Sequence, residues 1–147
     1  MPLLRETTGA QANLLDLIRQ FIWDLGGDLP RTKLVKLVYM ADEEFAWLTG
    51  ATNTGLSYVF DNFGPNAEGN EIVRATDRLA AADEVRILHK TTARGILILN
   101  ERGPAASSPQ LPDSLREIVR DLEDRCRHLS VDEVTALSKQ TRPFLDL

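Results

Sequence analysis

Residues 31–50, RTKLVKLVYMADEEFAWLTG, decide the fold of this chain. Apolar residues recur through the segment at spacings of three and four, which predicts one α-helix from about Thr32 to Thr49. Pro30 stands at its entrance, where a missing backbone N–H costs nothing, and Gly50 is the expected stop. Further apolar positions widen the stripe, so we expect more than one side of the helix to be covered. The stripe contains Leu34, Leu37, Val38, Ala41, Phe45 and Leu48, and it is widened by Val35, Tyr39 and Trp47.

Four further helices and one hairpin are predicted around this helix. Helical periodicity covers residues 11–25, 68–82 and 113–128, and a Ser-x-x-Glu capping box at Ser130 begins a short helix that runs to about Lys139. Two β-prone runs, 85–90 and 95–100, form a hairpin, and we expect residues 96–99 to be covered on both faces or to lie between the partner strand and a helix. An extended segment, 55–61, ends at a Gly64-Pro65 turn and is a candidate third strand for that hairpin. The predicted fold class is therefore mainly α with a small antiparallel β element (α+β).

Length and composition indicate one domain without a metal or disulfide framework. The 147 residues fit a single domain, 1–147, in which residues 103–112 form an internal loop. One cysteine and two histidines are too few for a zinc site, and we expect Cys126 to pack as a small hydrophobic residue. No segment approaches the ~20 apolar residues of a membrane span, and the N-terminus does not resemble a signal peptide. We expect a cytoplasmic protein that uses no cofactor.

The sequence offers no catalytic constellation, so a binding protein is expected, not an enzyme. It has no glycine-rich phosphate loop and no Gly-x-Ser-x-Gly nucleophile motif. Asp42, Glu43 and Glu44 are adjacent and fan out around a helix, which makes them a solvated face or an acidic contact for a partner. The formal net charge of −5 favours a protein partner over nucleic acid.

Two neighbouring features are candidates for a partner-binding surface. Three cations, Arg31, Lys33 and Lys36, lie at the start of the predicted helix 32–49, where the helix dipole disfavours them. They are either solubilising charges or contacts for a partner. A Phe-Gly-Pro string holds an aromatic residue beside a turn, and tyrosines are frequent interface anchors. The candidate set is Arg31, Lys33, Lys36, Tyr39, Tyr58, Phe63, Gly64 and Pro65. The alternative is that Tyr39, Tyr58 and Phe63 are core residues.

A DNA-binding alternative rests on the predicted hairpin. Arg86, Lys90 and Arg94 could make it the basic wing of a winged-helix protein. The acidic balance of the whole chain argues against this interpretation.

The order of these motifs resembles the Panacea family, also called SocA-like antitoxin domains or phage-associated GepA-like proteins. The similar segments are KLVKLVYMAD at 33–42, LTG at 48–50, GLSY at 55–58, FGP at 63–65 and the tail at 129–141, and in register they span residues 12–143. The resemblance implies a compact helical domain with a small β element. It also implies an antitoxin of a bacterial or phage type II toxin–antitoxin pair, which neutralises a cognate protein toxin by direct binding. An adaptor that delivers its partner to a protease is the alternative, and self-association as a homo-oligomer stays open.

Overall fold

The computed structural model describes residues 9–61 and 63–141, which fold into five α-helices and two small antiparallel sheets. This confirms the predicted α+β class, mainly α. No helix in the described part of the chain is long and apolar enough to cross a membrane. The helices are α1 Gly9–Leu25, α2 Arg31–Thr49, α3 Glu71–Ala81, α4 Asp113–Cys126 and α5 Val131–Ser138. The strands are β1 Leu29–Pro30, β2 Tyr58–Asp61, β3 Gly64–Ala67, β4 Val85–Thr92 and β5 Gly95–Arg102.

The helix predicted from residues 31–50 is α2, and it is the central element of the fold. Pro30 is extended at its start, and Gly50 ends it in the left-handed region at φ 92° with its N–H donated to the Ala46 carbonyl. Every residue from 33 to 42 is buried. The helix packs against α1, α3, α4 and α5 and against strands of both sheets. Coverage on more than one side is therefore confirmed for residues 33–42, where it extends around the whole circumference for about three turns. It is wrong for the last turn of the helix, where Trp47 and Leu48 are 57% and 66% exposed.

The sheets differ from the prediction in which strands pair. The hairpin of β4 and β5 is confirmed, but its third strand is β1, which pairs with β5 through Leu29 and Pro30. The extended segment that we expected to join this hairpin instead pairs with β3 in a separate sheet, with Phe60 opposite Pro65. Gly64-Pro65 is consequently part of a strand, and the turn lies before it, at Phe63.

Expected coverage of residues 96–99 on both faces is wrong at the turn end of the hairpin. Ile96 is 69% exposed, because it lies near the turn, beyond the part of β5 that β1 pairs with. Leu99 is buried where β5 pairs with both neighbours. Burial of β5 therefore increases from the turn to Leu99 and Asn100 and falls again at Glu101 and Arg102.

Local signals set the remaining element boundaries. The capping box is confirmed: Ser130 Oγ accepts the Glu133 N–H at 3.1 Å, and Glu133 Oε1 accepts the Ser130 N–H at 2.8 Å. A single 3₁₀ turn, Glu68–Asn70, precedes α3, so the α-helix begins three residues later than predicted. Cys126 is fully buried in the core, as expected, and burial raises the pKa of its thiol.

Candidate functional site

Four polar side chains spaced by three residues form a buried stripe along α2. Lys33, Lys36, Tyr39 and Asp42 are each at most 6% exposed. Steps of three residues on an α-helix fall about 60° short of a full turn, so the stripe winds around the helix. As a result its members contact several segments of the chain, and Tyr39 and Asp42 share one partner, Tyr58. We call these four residues the buried polar stripe.

Lys33 closes the C-terminal end of α4. Its Nζ donates hydrogen bonds to the carbonyl oxygens of Arg127, at 3.3 Å, and Leu129, at 3.0 Å. Carbonyls at the end of a helix lack intrahelical partners and carry the negative end of the helix dipole, so a cation is favourable there. The unfavourable position of Lys33 at the start of α2 is therefore offset by the end of α4. Burial lowers the pKa of Lys33.

Lys36 fastens β3 to α2. Its Nζ donates to the carbonyl oxygen of Pro65 at 2.8 Å and to Asn66 Oδ1 at 3.1 Å, and its side chain is 1% exposed. Burial lowers its pKa, and nearby Asp61 opposes that shift. Both sequence-based interpretations of Lys33 and Lys36, solubilising charges or partner contacts, placed them on the surface. Both interpretations are wrong on that point, because backbone carbonyl oxygens inside the fold accept hydrogen bonds from the ammonium groups of Lys33 and Lys36.

Gly64 and Pro65 are buried between α2 and α5. Gly64 has φ +92°, and a Cβ placed there would lie 3.3 Å from Ser138 Oγ and 3.4 Å from Thr135 Cγ2. Backbone conformation and close approach thus both require glycine at this position. These two residues position the hairpin, and neither presents a side chain to solvent.

Tyr39 and Tyr58 are in the core region, which agrees with the alternative interpretation of the aromatic residues. Tyr39 packs edge-on against Tyr58, with ring centroids 5.0 Å apart, and against Phe60 at 5.8 Å. Its hydroxyl forms a 2.6 Å hydrogen bond with Thr141 Oγ1. Burial raises the pKa of Tyr39. Tyr39 therefore links α2, β2 and the segment that follows α5.

Asp42 corrects the prediction of a solvated acidic face. It is fully buried, and its Oδ1 accepts the N–H groups of Asn53 at 3.0 Å and Thr54 at 3.1 Å. Its Oδ2 accepts the hydroxyl groups of Thr54 and Tyr58. Burial raises the pKa of Asp42, although these donors oppose the shift, and burial beside Asp42 raises the pKa of Tyr58 well above its usual value. Glu44 alone of the three carboxylates is exposed, since Glu43 is half-buried.

Phe63 is the member of the candidate set that faces solvent. Its side chain is 77% exposed, in the turn between β2 and β3. Its backbone N–H donates to Asp61 Oδ1 at 2.8 Å, which stabilises the turn locally. Val59, on the same hairpin, is 44% exposed. Arg31 is half-buried, and its guanidinium group lies 4.0 Å from the Asp77 carboxylate.

The structure thus brings Lys36, Tyr39, Tyr58, Gly64 and Pro65 together as one support. The exposed aromatic residue Phe63 directly precedes Gly64 in this arrangement. Asp42 was not predicted from the sequence as part of this arrangement. The regular spacing of Lys, Lys, Tyr and Asp by three residues, in a segment otherwise filled with apolar residues, was the signal available.

Groups that could indicate catalysis or DNA binding are placed differently. Both histidines, His89 and His128, are exposed. Within residues 9–61 and 63–141, no cluster of three His, Cys, Asp or Glu could hold a metal ion. On the hairpin, Arg86 pairs with Glu101 at 3.2 Å and Arg94 approaches Asp132 at 3.8 Å, so acidic neighbours offset two of the three cations proposed for a DNA-binding wing.

No family model, no curated protein and no solved structure matches this chain in comparisons with known proteins. The Panacea-like character of the motif order therefore stays a prediction from the sequence.

Proposed function

We propose that this chain is an antitoxin, which neutralises a cognate protein toxin by direct binding through the turn that carries Phe63. The observation that carries the proposal is the contrast at this turn. Phe63 is 77% exposed, whereas Gly64 and Pro65, directly after it, are buried. Exposed aromatic side chains are costly to leave in water and are enriched at protein interfaces.

The supporting hairpin is held in one conformation by contacts inside the fold. Lys36 holds the carbonyl of Pro65, and Gly64 packs against α5. A rigid anchor loses little conformational entropy on binding, so more of its apolar burial remains as affinity. The polar groups of the buried polar stripe form hydrogen bonds that hold the surface around Phe63 in place, and this supports a role in recognition.

The same occupation argues against catalysis at this site. Nucleophiles and general bases must reach a substrate, and Asp42 is fully buried with four donors directed at it. Lys36 is 1% exposed and bonded to two acceptors. Neither residue presents a free reactive atom to a cleft.

A matched pair of variants tests the proposal. The gene adjacent to this one is expressed alone to establish toxicity, and then with the wild-type chain, with Phe63→Ala or with Ile96→Ala. Ile96 is 69% exposed on the other hairpin and provides a control of similar exposure and apolarity. We expect Phe63→Ala to lose growth rescue and to weaken toxin binding by about tenfold or more, because an interface anchor contributes about 2 kcal/mol.

The melting temperature separates loss of binding from loss of folding. Both truncations are at exposed sites and should change stability by no more than about 0.5 kcal/mol. Full rescue and unchanged affinity with Phe63→Ala would refute the proposed surface. The adaptor alternative is tested by immunoblotting the toxin: direct neutralisation leaves its amount unchanged, whereas an adaptor lowers it in a protease-dependent manner.

A further inference from the structure

The last turns of α2 carry one acidic and two large apolar side chains at the surface. Trp47 and Leu48 are mostly exposed, and Glu44 is exposed as well. Residues three and four positions apart are neighbours on a helix, so Glu44 adjoins both apolar side chains. We call these three residues the α2 end patch. Adjacent exposed apolar side chains of this size are unusual on a solvated helix and are typical of interaction surfaces.

A groove of about 400 Å³ between α2, α4 and α5 continues the patch, because Glu44 lines it too. Its α2 wall is acidic, and its deeper part is apolar. The lining includes Glu43 and Glu44 on that wall and the apolar side chains of Met40, Leu122 and Leu137. On the α4 wall, Arg125 lies 3.0 Å from Asp121, which offsets its charge. The groove is therefore suited to an apolar side chain whose neighbour carries a positive charge.

Three features of the α2 end patch favour a cation. No basic side chain of residues 9–61 and 63–141 forms an ion pair with Glu44. The last turn of α2 contains no basic residue, so no cation of that turn offsets the negative end of the helix dipole. The face of an indole ring, as in Trp47, attracts a guanidinium or ammonium group.

Elsewhere in the fold, this chain places its own cations on the same chemical groups. Lys33 donates to the carbonyl oxygens of Arg127 and Leu129 at the end of α4, at 3.3 and 3.0 Å. Arg102 lies over the Trp23 ring, 3.8 Å from its centroid. In both cases a charged group on a long aliphatic stem supplies the contact. A lysine or arginine of a second protein would make the same contacts at the end of α2.

We propose that the α2 end patch and the adjoining groove bind a basic amphipathic segment of a partner protein. A lysine or arginine of that segment pairs with Glu44 and lies over Trp47, and its apolar side chains cover Leu48 and enter the groove. A second copy of this chain, related by a twofold axis through the patch, would instead place Glu44 near its own counterpart. The proposed surface does not include Phe63, and its test does not depend on a toxin.

A synthetic peptide of leucine and lysine, spaced to form one apolar and one basic helix face, is the probe. Fluorescence anisotropy of the labelled peptide measures its binding to the full chain. The control peptide has glutamate in place of every lysine and keeps the apolar face. We expect saturable binding of the lysine peptide, weakening as the NaCl concentration rises, and no binding of the glutamate peptide.

Matched variants test whether the peptide binds at the end of α2. Glu44→Lys should weaken binding by about tenfold or more, because it places like charges together. Glu117→Lys makes the same charge change at an exposed position on α4 and should change affinity by no more than about twofold. Trp47→Ala should also lose about tenfold, whereas Ile96→Ala, at an exposed apolar residue of the other hairpin, should not. Melting curves verify that all four variants are folded.

Three results would overturn the proposal. The first is no saturable binding of the lysine peptide, or equal binding of the glutamate peptide. The second is an equal loss of affinity in a variant and its matched control. The third is a concentration-dependent dimer in sedimentation velocity that Trp47→Ala dissociates, because the occupant of the patch would then be a second copy of this chain.

Discussion

Reversing the charge of Lys36 should destabilise the whole domain. In the native structure Nζ of Lys36 lies 2.8 Å from the Pro65 carbonyl oxygen and 3.1 Å from Asn66 Oδ1, inside the fold. In Lys36→Glu a carboxylate replaces the donor, so like partial charges meet and a charge is buried without a partner. Breaking such an arrangement costs about 3–5 kcal/mol.

That free energy corresponds to a large shift in melting temperature. The entropy of unfolding is about 2.1 cal/mol/K per residue, so a chain of 147 residues should lose about 10–15 °C. Lys90→Glu makes the same charge change at an exposed position on β4 and should cost no more than about 0.5 kcal/mol. Lys36→Met keeps the aliphatic length but removes the donors, and should fall between the two because the Pro65 carbonyl loses its buried partner at a cost of about 1–3 kcal/mol.

Circular dichroism melts and urea denaturation measure all three variants. If Lys36→Glu melts within about 2 °C of Lys90→Glu, then Lys36 faces water in solution and does not hold the hairpin of β2 and β3 against α2. The expected result also affects functional assays: loss of neutralisation in Lys36→Glu reports on folding, which is why Phe63 is the better residue for mapping a surface.

Three further predictions test other parts of the structure. Gly64→Ala should lower stability by about 1–2 kcal/mol, since its φ of +92° is unfavourable for any residue with a Cβ; an unchanged urea midpoint would contradict this. Glu123, with a pKa raised from 4.5 to about 9, binds a proton in the folded state over a range where the unfolded chain has lost it, so stability falls as the pH rises from 4.5 to about 9. Glu123→Gln should flatten this fall in melting temperature, and the exposed control Glu117→Gln on the same helix should preserve it. Ser130→Ala removes the hydroxyl that accepts the Glu133 N–H and should cost about 1 kcal/mol; no change in melting temperature would show that the capping box does not limit stability.

Local patterns predicted the helices well because their signals lie within a few residues. The bounds of α2 follow from Pro30, the apolar spacing and Gly50. The start of α5 follows from the capping box at Ser130. In each case the cause lies in a residue next to the boundary that it sets. Pro30 has no backbone N–H that would need a partner, and the Ser130 side chain accepts a backbone N–H of the first turn.

Burial of charged residues could not be predicted in the same way. Lys33 is buried because the carbonyls of Arg127 and Leu129 lie beside it, and those residues are 94 and 96 positions away in the chain. The same holds for β1, where two residues pair with a strand about 70 positions later and leave no local β pattern. Glu123 shows the limit most clearly, since its spacing on α4 gives no sign of Asp24 on α1.

The position of α2 has a consequence for how the protein is synthesised. Tyr39 finds its hydroxyl partner 102 residues later, at Thr141, and Lys33 finds its acceptors almost as late. During translation the helix leaves the ribosome long before these groups exist, with its apolar sides and its two inward-facing lysines still in water. Nascent chains truncated before residue 127 therefore present an incomplete, chaperone-accessible surface, and protease resistance should appear abruptly once α4 and α5 have emerged.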